Sequence, residues 1–150
     1  MSAEKIKKSY LAAAVASGGI VSAIVLYTVV VELLFRMGHK PPLVPPAAYA
    51  AKYALYIVGA AALAALRLVP AALDTKKATP EEAVKSLTLL AIVKAALCEL
   101  PAVAGLIMFI LTGFRADFYL LIVFSLGLEV YHFPRLQQWE ERIRGDFGQL

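Results

Sequence analysis

An unbroken run of 22 uncharged residues, positions 10–31, sets the strongest limit on how this chain can fold. As a helix rising 1.5 Å per residue, such a run crosses the hydrocarbon core of a bilayer, which is about 30 Å thick. The rest of the chain agrees, because 61% of its residues are hydrophobic and 17% are charged, against about half and about a quarter in soluble domains. We therefore expect an integral membrane protein, and not a soluble domain, a disordered chain or a disulfide-linked secreted module.

Four apolar segments predict four membrane-spanning helices within a single membrane domain, residues 1–150. The segments cover about residues 9–35, 48–73, 86–113 and 118–133. Helices are expected because lipid offers no partner to backbone N–H and C=O groups, so each crossing must satisfy its own. The basic start of the first segment also fits a signal peptide. Its apolar stretch is about twice the usual length, however, and no small-residue cleavage site follows, so a retained anchor is predicted.

Lysine and arginine residues in the connecting segments predict the orientation, since cytoplasmic loops carry an excess of both. With the N-terminus in the cytoplasm, ten of these residues lie on that side and four on the other. The ten are Lys5, Lys7, Lys8, Arg67, Lys76, Lys77, Lys85, Arg135, Arg142 and Arg144, and the four are Arg36, Lys40, Lys52 and Arg115. Both termini are therefore predicted to be cytoplasmic, in a multi-pass protein of the cell's inner (cytoplasmic) membrane. The net charge of +4 is then explained by contact with anionic lipid, and no nucleic-acid partner is expected.

The residues after Pro134 are polar overall but keep a helical pattern. Apolar side chains recur every three or four positions, at Leu136, Trp139, Ile143, Phe147 and Leu150. This spacing predicts an amphipathic helix over about residues 135–150, lying on the cytoplasmic membrane surface or docked on a partner. Trp139 favours the membrane surface, because tryptophan is enriched where membrane meets water. The predicted fold is thus an all-α, four-helix membrane bundle with a C-terminal interfacial helix.

Glu99 is the residue most in need of explanation, because it lies in the middle of the third predicted helix, close to the bilayer midplane. A charge there costs about 2.5–3.5 kcal/mol or more, so the carboxyl must pair, face a wet cavity or hold a proton. Pro101 removes one backbone hydrogen bond and leaves the carbonyl of Leu97 without its helical donor. These groups form a candidate ion- or proton-binding site. The alternative is that Glu99 hydrogen-bonds to another helix and fixes its packing.

Two further charges within the apolar segments have expected positions. Glu32 and Arg36 lie four residues apart near the outer end of the first helix, a spacing that favours a pair. Lys94 lies five residues before Glu99, about 140° around the helix, so the two do not share a face. We expect Lys94 to extend toward the cytoplasm.

Residues 96–99 read Ala-Leu-Cys-Glu, and Gly105 follows six residues after the acid. This pattern resembles the carboxylate-bearing helix of the c subunit, or proteolipid, of rotary ATP synthases. Residues 78–81, Ala-Thr-Pro-Glu, are similar to the polar loop of that family, and a helix rich in small residues precedes them. The resemblance covers about residues 58–112. The chain also resembles small uncharacterised four-helix bacterial membrane proteins that have the same Glu-x-Pro helix.

The resemblance implies that Glu99 alternately binds and releases a proton or a sodium ion, with Leu97, Pro101 and Gly105 in the same site. It also implies assembly with copies of the chain or with other membrane subunits. The chain departs from the family in several ways, and extra helices flank the matching hairpin on both sides. Its second helix has alanines where c subunits repeat glycine, Ala78 replaces the loop arginine, and Lys94 adds a cation to the acidic helix.

Glu129 and His132 form Glu-x-x-His, half of a motif that binds two iron ions in helical bundles. A complete site needs a second copy and two further glutamates, and His39 lies at the opposite membrane face. No metal or other cofactor is therefore expected, and the alternative is a simple Glu–His pair at the helix end. The sequence has no nucleophile–base pair and no phosphate-binding glycine loop, which argues against an enzyme.

Two functional classes remain. In the first, the chain is an integral membrane subunit whose midplane carboxylate binds a proton or cation, as c subunits do, with ion translocation as the further expectation. In the second, it is a non-catalytic accessory or assembly subunit of a larger membrane complex, and Glu99 fixes a helix contact. A third class, a small enzyme or redox carrier with a lipid-soluble substrate, has no residue that supports it specifically.

Overall fold

A computed structural model describes residues 3–73 and 79–148. Its five α-helices are α1 (Ala3–Arg36), α2 (Ala47–Leu73), α3 (Pro80–Thr112), α4 (Arg115–His132) and α5 (Leu136–Phe147). The all-α class predicted from the sequence is confirmed. The helices α1, α2 and α3 are each long and apolar enough to cross a membrane, and the pair α4–α5, bent by 45°, makes a fourth span if it is counted as one.

The central helix is α3, which packs against α1, α2 and α4. Half of its most apolar window is buried inside the protein, against 17% in α1 and in α2. α1 runs parallel to α3, because the Lys5–Glu81 ion pair joins their first turns and Tyr27 meets Glu99 further along. The main core lies between α1, α3 and α4 and consists of Ile24, Val31, Ala102, Phe109, Phe118 and Ile122.

Two helices begin earlier than hydropathy predicts. α3 begins at Pro80 instead of about residue 86, and α1 at residue 3 instead of about residue 9. The Thr79 side chain accepts a hydrogen bond from the backbone N–H of Glu82, which caps α3. Pro80 suits the first helical position, and acidic residues in the first turn favour the positive end of the helix dipole. Hydropathy marks the apolar part of a helix, whereas the capping residues mark its true start.

The turn between α3 and α4 is short, with two residues between the helices. Gly113 has a φ of 74°, a left-handed conformation that glycine adopts without strain, and its N–H closes the last turn of α3. Gly105 allows the two helices to approach. A Cβ added there would lie 3.1 Å from the Cβ of Leu121 and 3.3 Å from the carbonyl oxygen of Phe118. The α3–α4 hairpin is therefore a close-packed unit.

Arg115, the first residue of α4, joins the hairpin to α1. Its guanidinium donates to Oε1 of Glu32 from Nη2 at 2.6 Å and from Nε at 3.1 Å. The Tyr119 hydroxyl donates to the same oxygen. The spacing predicted Arg36 as the partner of Glu32, but Glu32 bonds to Arg115 instead. Two nitrogens of the Arg115 guanidinium donate to the same carboxylate oxygen.

Asp117 joins the hairpin to α2 in a similar way. One of its oxygens, Oδ1, lies 2.7 Å from the ammonium nitrogen of Lys52 and accepts a hydrogen bond of 2.7 Å from the Tyr56 hydroxyl. The side chains of Lys52 and Asp117 are 26% and 19% exposed, so the pair is largely enclosed by protein. The first turn of α4 thus holds two different neighbours, α1 through Arg115 and α2 through Asp117.

Replacing Arg115 by glutamine is expected to lower the midpoint of thermal unfolding in detergent, because Glu32 loses its charged partner. The matched control is Lys5→Gln, which breaks an ion pair whose side chains are 67% and 64% exposed. The side chains of the Arg115–Glu32 pair are 40% and 28% exposed, and well-exposed pairs contribute little to stability. Equal unfolding midpoints for the two variants would contradict a structural role for Arg115.

The amphipathic helix predicted over about residues 135–150 is confirmed over Leu136–Phe147, and Leu150 lies outside the described residues. The apolar face of α5 packs on the chain itself. Ile143 is buried against Ile6 of α1 and Val84 of α3. Trp139, predicted as a membrane-surface anchor, is 5% exposed and lies edge-on to Tyr10 with ring centroids 5.9 Å apart. The physical reason is that α1 and α3 extend past their apolar segments and offer α5 a surface within the protein.

Candidate functional site

Polar side chains gather among α1, α3 and α4, in a region otherwise built from apolar residues. Two carboxyls are the main members, Glu99 of α3 and Glu129 of α4, and they are close enough for their charges to act on each other. The other members are Ser17, Tyr27, Cys98, Ser125 and His132. We call these seven residues the polar cluster.

Glu99, predicted as the ion-binding residue, is held by α1. The Tyr27 hydroxyl donates a hydrogen bond of 2.5 Å to Oε1 of Glu99. The Glu99 side chain is half-buried. One oxygen of the Glu99 carboxyl is thus hydrogen-bonded to α1, while part of the side chain is exposed at the protein surface.

Glu129 is the more deeply buried carboxyl, with 2% of the residue exposed. The Cys98 thiol and the Ser17 hydroxyl form hydrogen bonds with the Glu129 carboxyl. Its oxygen Oε2 is buried and has no hydrogen-bond partner within the described part of the chain. An ionised carboxylate with an unpaired oxygen is very unfavourable in apolar surroundings, and a bound proton or cation removes that penalty.

One face of α4 supplies three members of the cluster. Ser125, Glu129 and His132 recur at intervals of four and three residues, which places them on the same side of the helix. The Ser125 hydroxyl donates to the carbonyl oxygen of Cys98. The His132 Nδ1 atom lies 3.9 Å from Sγ of Cys98 and 3.0 Å from the carbonyl oxygen of Leu128. This face of α4 therefore binds both the backbone and the side chain of Cys98.

The predicted Glu-x-x-His pair does not form. No hydrogen bond joins Glu129 to His132, because Glu129 turns toward Ser17 and Cys98 while His132 bonds within its own helix. Over residues 3–73 and 79–148, no group of three or more His, Cys, Asp or Glu side chains is placed to hold a metal ion.

The other residues predicted for the ion site lie in packing contacts. Pro101 is a buried residue of α3. Gly59 of α2 lies against it, since a Cβ added to Gly59 would be 3.7 Å from the Cα atom of Pro101. Gly105 faces α4, as described above, and Leu97 is half-buried. Pro101 deprives the Leu97 carbonyl of its donor, and α4 bonds to the next carbonyl along, that of Cys98. Pro101 and Gly105 thus allow α2 and α4 to approach α3 beside the polar cluster.

Sequence reasoning placed Glu99 at the centre and missed the importance of Glu129. The usable signal was the spacing of residues 125, 129 and 132, a polar stripe along one side of an apolar helix. The contributions of Ser17 and Tyr27 had no such signal, because a single hydroxyl on an apolar helix does not reveal which helix it faces. No protein-family model, curated protein or solved structure matches the chain.

Proposed function

We propose that this chain is an integral membrane protein that binds a proton at the Glu99–Glu129 pair. The observation that carries the proposal is the buried, unpartnered Oε2 atom of Glu129 beside a second carboxyl. Two ionised carboxylates in one region of low dielectric constant repel each other. One proton held by the pair removes both the repulsion and the uncompensated buried charge.

A proton fits the polar cluster better than a divalent metal cation. Calcium takes six to eight oxygen ligands and magnesium six, largely carboxylates, carbonyls and waters. The cluster offers two carboxyls, and Tyr27 already occupies an oxygen of one of them. The resemblance of residues 96–105 to c subunits supports ion exchange at Glu99, since the carboxyl on the corresponding helix of that family binds and releases a proton or a sodium ion.

The proposal includes a four-span topology with both termini in the cytoplasm of the cell's inner membrane. The 18 residues of α4 extend about 27 Å, close to the thickness of the hydrocarbon core. The excess of lysine and arginine, ten against four, supports this orientation. Glu129 lies three residues before the end of α4, so the cytoplasm is the side from which a proton reaches the pair by the shorter route.

The infrared spectrum of the protein in lipid vesicles at pH 7 tests the proposal, because the C=O stretch of a protonated carboxylic acid is distinct from the bands of ionised carboxylates. We expect such a band in the wild type and its loss in Glu129→Gln. In Glu99→Gln the band should remain but shift, since the neighbouring carboxyl has changed.

Glu81→Gln is the matched control, because the Glu81 carboxyl is exposed and paired with Lys5, and this variant should keep the band unchanged. A wild-type spectrum without the band, or a band that survives in Glu129→Gln at its original position, would overturn the proposal.

A second candidate function, an accessory or assembly subunit, is favoured by the Tyr27–Glu99 hydrogen bond, which joins two helices as a packing contact would. Glutamine at position 99 keeps an oxygen for Tyr27 but holds no proton. Under the accessory function, Glu99→Gln leaves the assembly intact. The native mass of the complex, gently extracted from its own membrane, reports this effect.

A further inference from the structure

A cavity of about 130 Å³ lies between α3, the end of α4 and α5. Its polar lining consists of Lys94, His132, Gln138, Trp139 and Arg142, and apolar residues of α3 and of the α4–α5 junction complete the walls. None of the described residues that line it is acidic. The cavity is therefore a positively charged recess with apolar walls, outside the proton-binding pair.

Lys94 is the group in this cavity that most needs a partner. It is half-buried on a largely apolar helix, and within the described ranges it forms no ion pair or hydrogen bond with another residue. A buried charge is costly unless it is paired. The unpaired ammonium group of Lys94, in a lining without acidic residues, makes the cavity suited to an anion.

The position of the cavity favours an anion that belongs to the membrane. Lys94 lies 14 residues after the start of α3, about 21 Å along the helix, and lines the same cavity as His132, the last residue of α4. Glu99 is about 8 Å further along α3, so in the proposed orientation it lies nearer to the cytoplasmic boundary than the midplane position expected from the sequence. The cavity adjoins the junction of α4 and α5, which is the membrane–water boundary in the proposed orientation. Its apolar walls give no advantage to a free inorganic anion, whereas an amphiphile contacts both the charged and the apolar part.

We propose that this cavity binds the phosphate headgroup of an anionic phospholipid, with Lys94 as its main charged partner. Lysine is a common phosphate ligand, and basic pockets on the cytoplasmic side of membrane helices bind anionic headgroups. The volume of about 130 Å³ is several times the roughly 30 Å³ that one water molecule occupies in the liquid, which is room for a phosphate group. Gln138 and Trp139 add hydrogen-bond donors to the lining.

Native mass spectrometry of the full-length protein in detergent tests the proposal. The protein is titrated with short-chain phosphatidylglycerol and, separately, with phosphatidylcholine of the same chain length. We expect the wild type to prefer phosphatidylglycerol, and Lys94→Gln to weaken that binding about tenfold, as the loss of one charged hydrogen bond implies. Lys94→Arg should retain binding. The control Lys85→Gln removes an exposed lysine of the same helix and should leave binding unchanged.

Three results would overturn the proposal: equal binding of the two lipids to the wild type, unchanged phosphatidylglycerol binding in Lys94→Gln, or displacement of the lipid by an equal concentration of inorganic phosphate. The last would identify the occupant as free phosphate. If Lys94→Gln fails to fold, the comparison of the two lipids on the wild type still shows whether the cavity prefers an anionic headgroup. The outcome is independent of the infrared test of Glu129.

Discussion

Replacing Glu129 by methionine is expected to raise the free energy of unfolding by about 1–3 kcal/mol, which is the usual penalty of a buried polar group without a partner. Most substitutions at buried positions have the opposite effect. Here the carboxyl is 2% exposed and its Oε2 atom is unpaired, so an apolar side chain of similar size removes a penalty. The two groups that lose their acceptor cost little, because the Ser17 hydroxyl can bond to a carbonyl of its own helix and the Cys98 thiol is a weak donor. Unfolding in mixed micelles with increasing sodium dodecyl sulfate measures the change.

Glu99→Met is the matched control, and we expect it to lower the free energy of unfolding by about 1–3 kcal/mol. The same chemical change has the opposite sign because the Tyr27 hydroxyl, bonded to Glu99 at 2.5 Å, loses its acceptor. If Glu129→Met also destabilises the protein, the hydrogen bonds of the Glu129 carboxyl outweigh the penalty of its unpaired oxygen, and the proposed proton pair loses its main support.

Replacing Gly105 by valine is expected to lower the free energy of unfolding by about 1–3 kcal/mol, the typical cost of overpacking a close contact. A Cβ at this position would lie 3.1 Å from the Cβ of Leu121 and 3.3 Å from the carbonyl oxygen of Phe118. A backbone oxygen cannot rotate away, so α3 and α4 must separate. The separation also strains the hydrogen bond from Ser125 to Cys98, about two turns earlier in α3.

The control for this substitution is Gly127→Ala, at a second helical glycine in the same hairpin. An added Cβ there meets nothing within 4 Å, and alanine favours the helix over glycine by roughly 0.5–1 kcal/mol. We therefore expect Gly127→Ala to raise the unfolding midpoint in detergent. A similar loss of stability in both variants would show that close approach of α3 and α4 is not the reason for the effect at Gly105.

The helices were predictable from the sequence because a membrane crossing must satisfy its backbone locally. Each of the four apolar segments contains a helix in the structure. Their starts were less predictable, since the first turns of α1 and α3 are polar and lie outside the hydropathy signal. For α3 the information was nonetheless present, in the threonine, proline and acidic residues of positions 79–82.

The partners of the charged residues were not predictable, because spacing along one helix says nothing about which other helix it faces. Glu99 could be singled out by its position alone, but its partner Tyr27 lies 72 residues away. Glu32 has a neighbour of opposite charge at four residues, Arg36, and yet it bonds to Arg115, 83 residues along the chain. Only the packing of α1 on the α3–α4 hairpin determines these contacts.

The first turn of α4 carries two opposite charges that face different helices. Arg115 binds to α1 and Asp117 binds to α2. If α1 and α2 exchanged places around the hairpin, Arg115 would meet Lys52 and Asp117 would meet Glu32, which are two contacts between like charges. Apolar side chains in lipid distinguish poorly between such mirror-related arrangements, since lipid tails are as apolar as the helices. These two residues therefore select the handedness with which the helices assemble, through attraction in one arrangement and repulsion in the other.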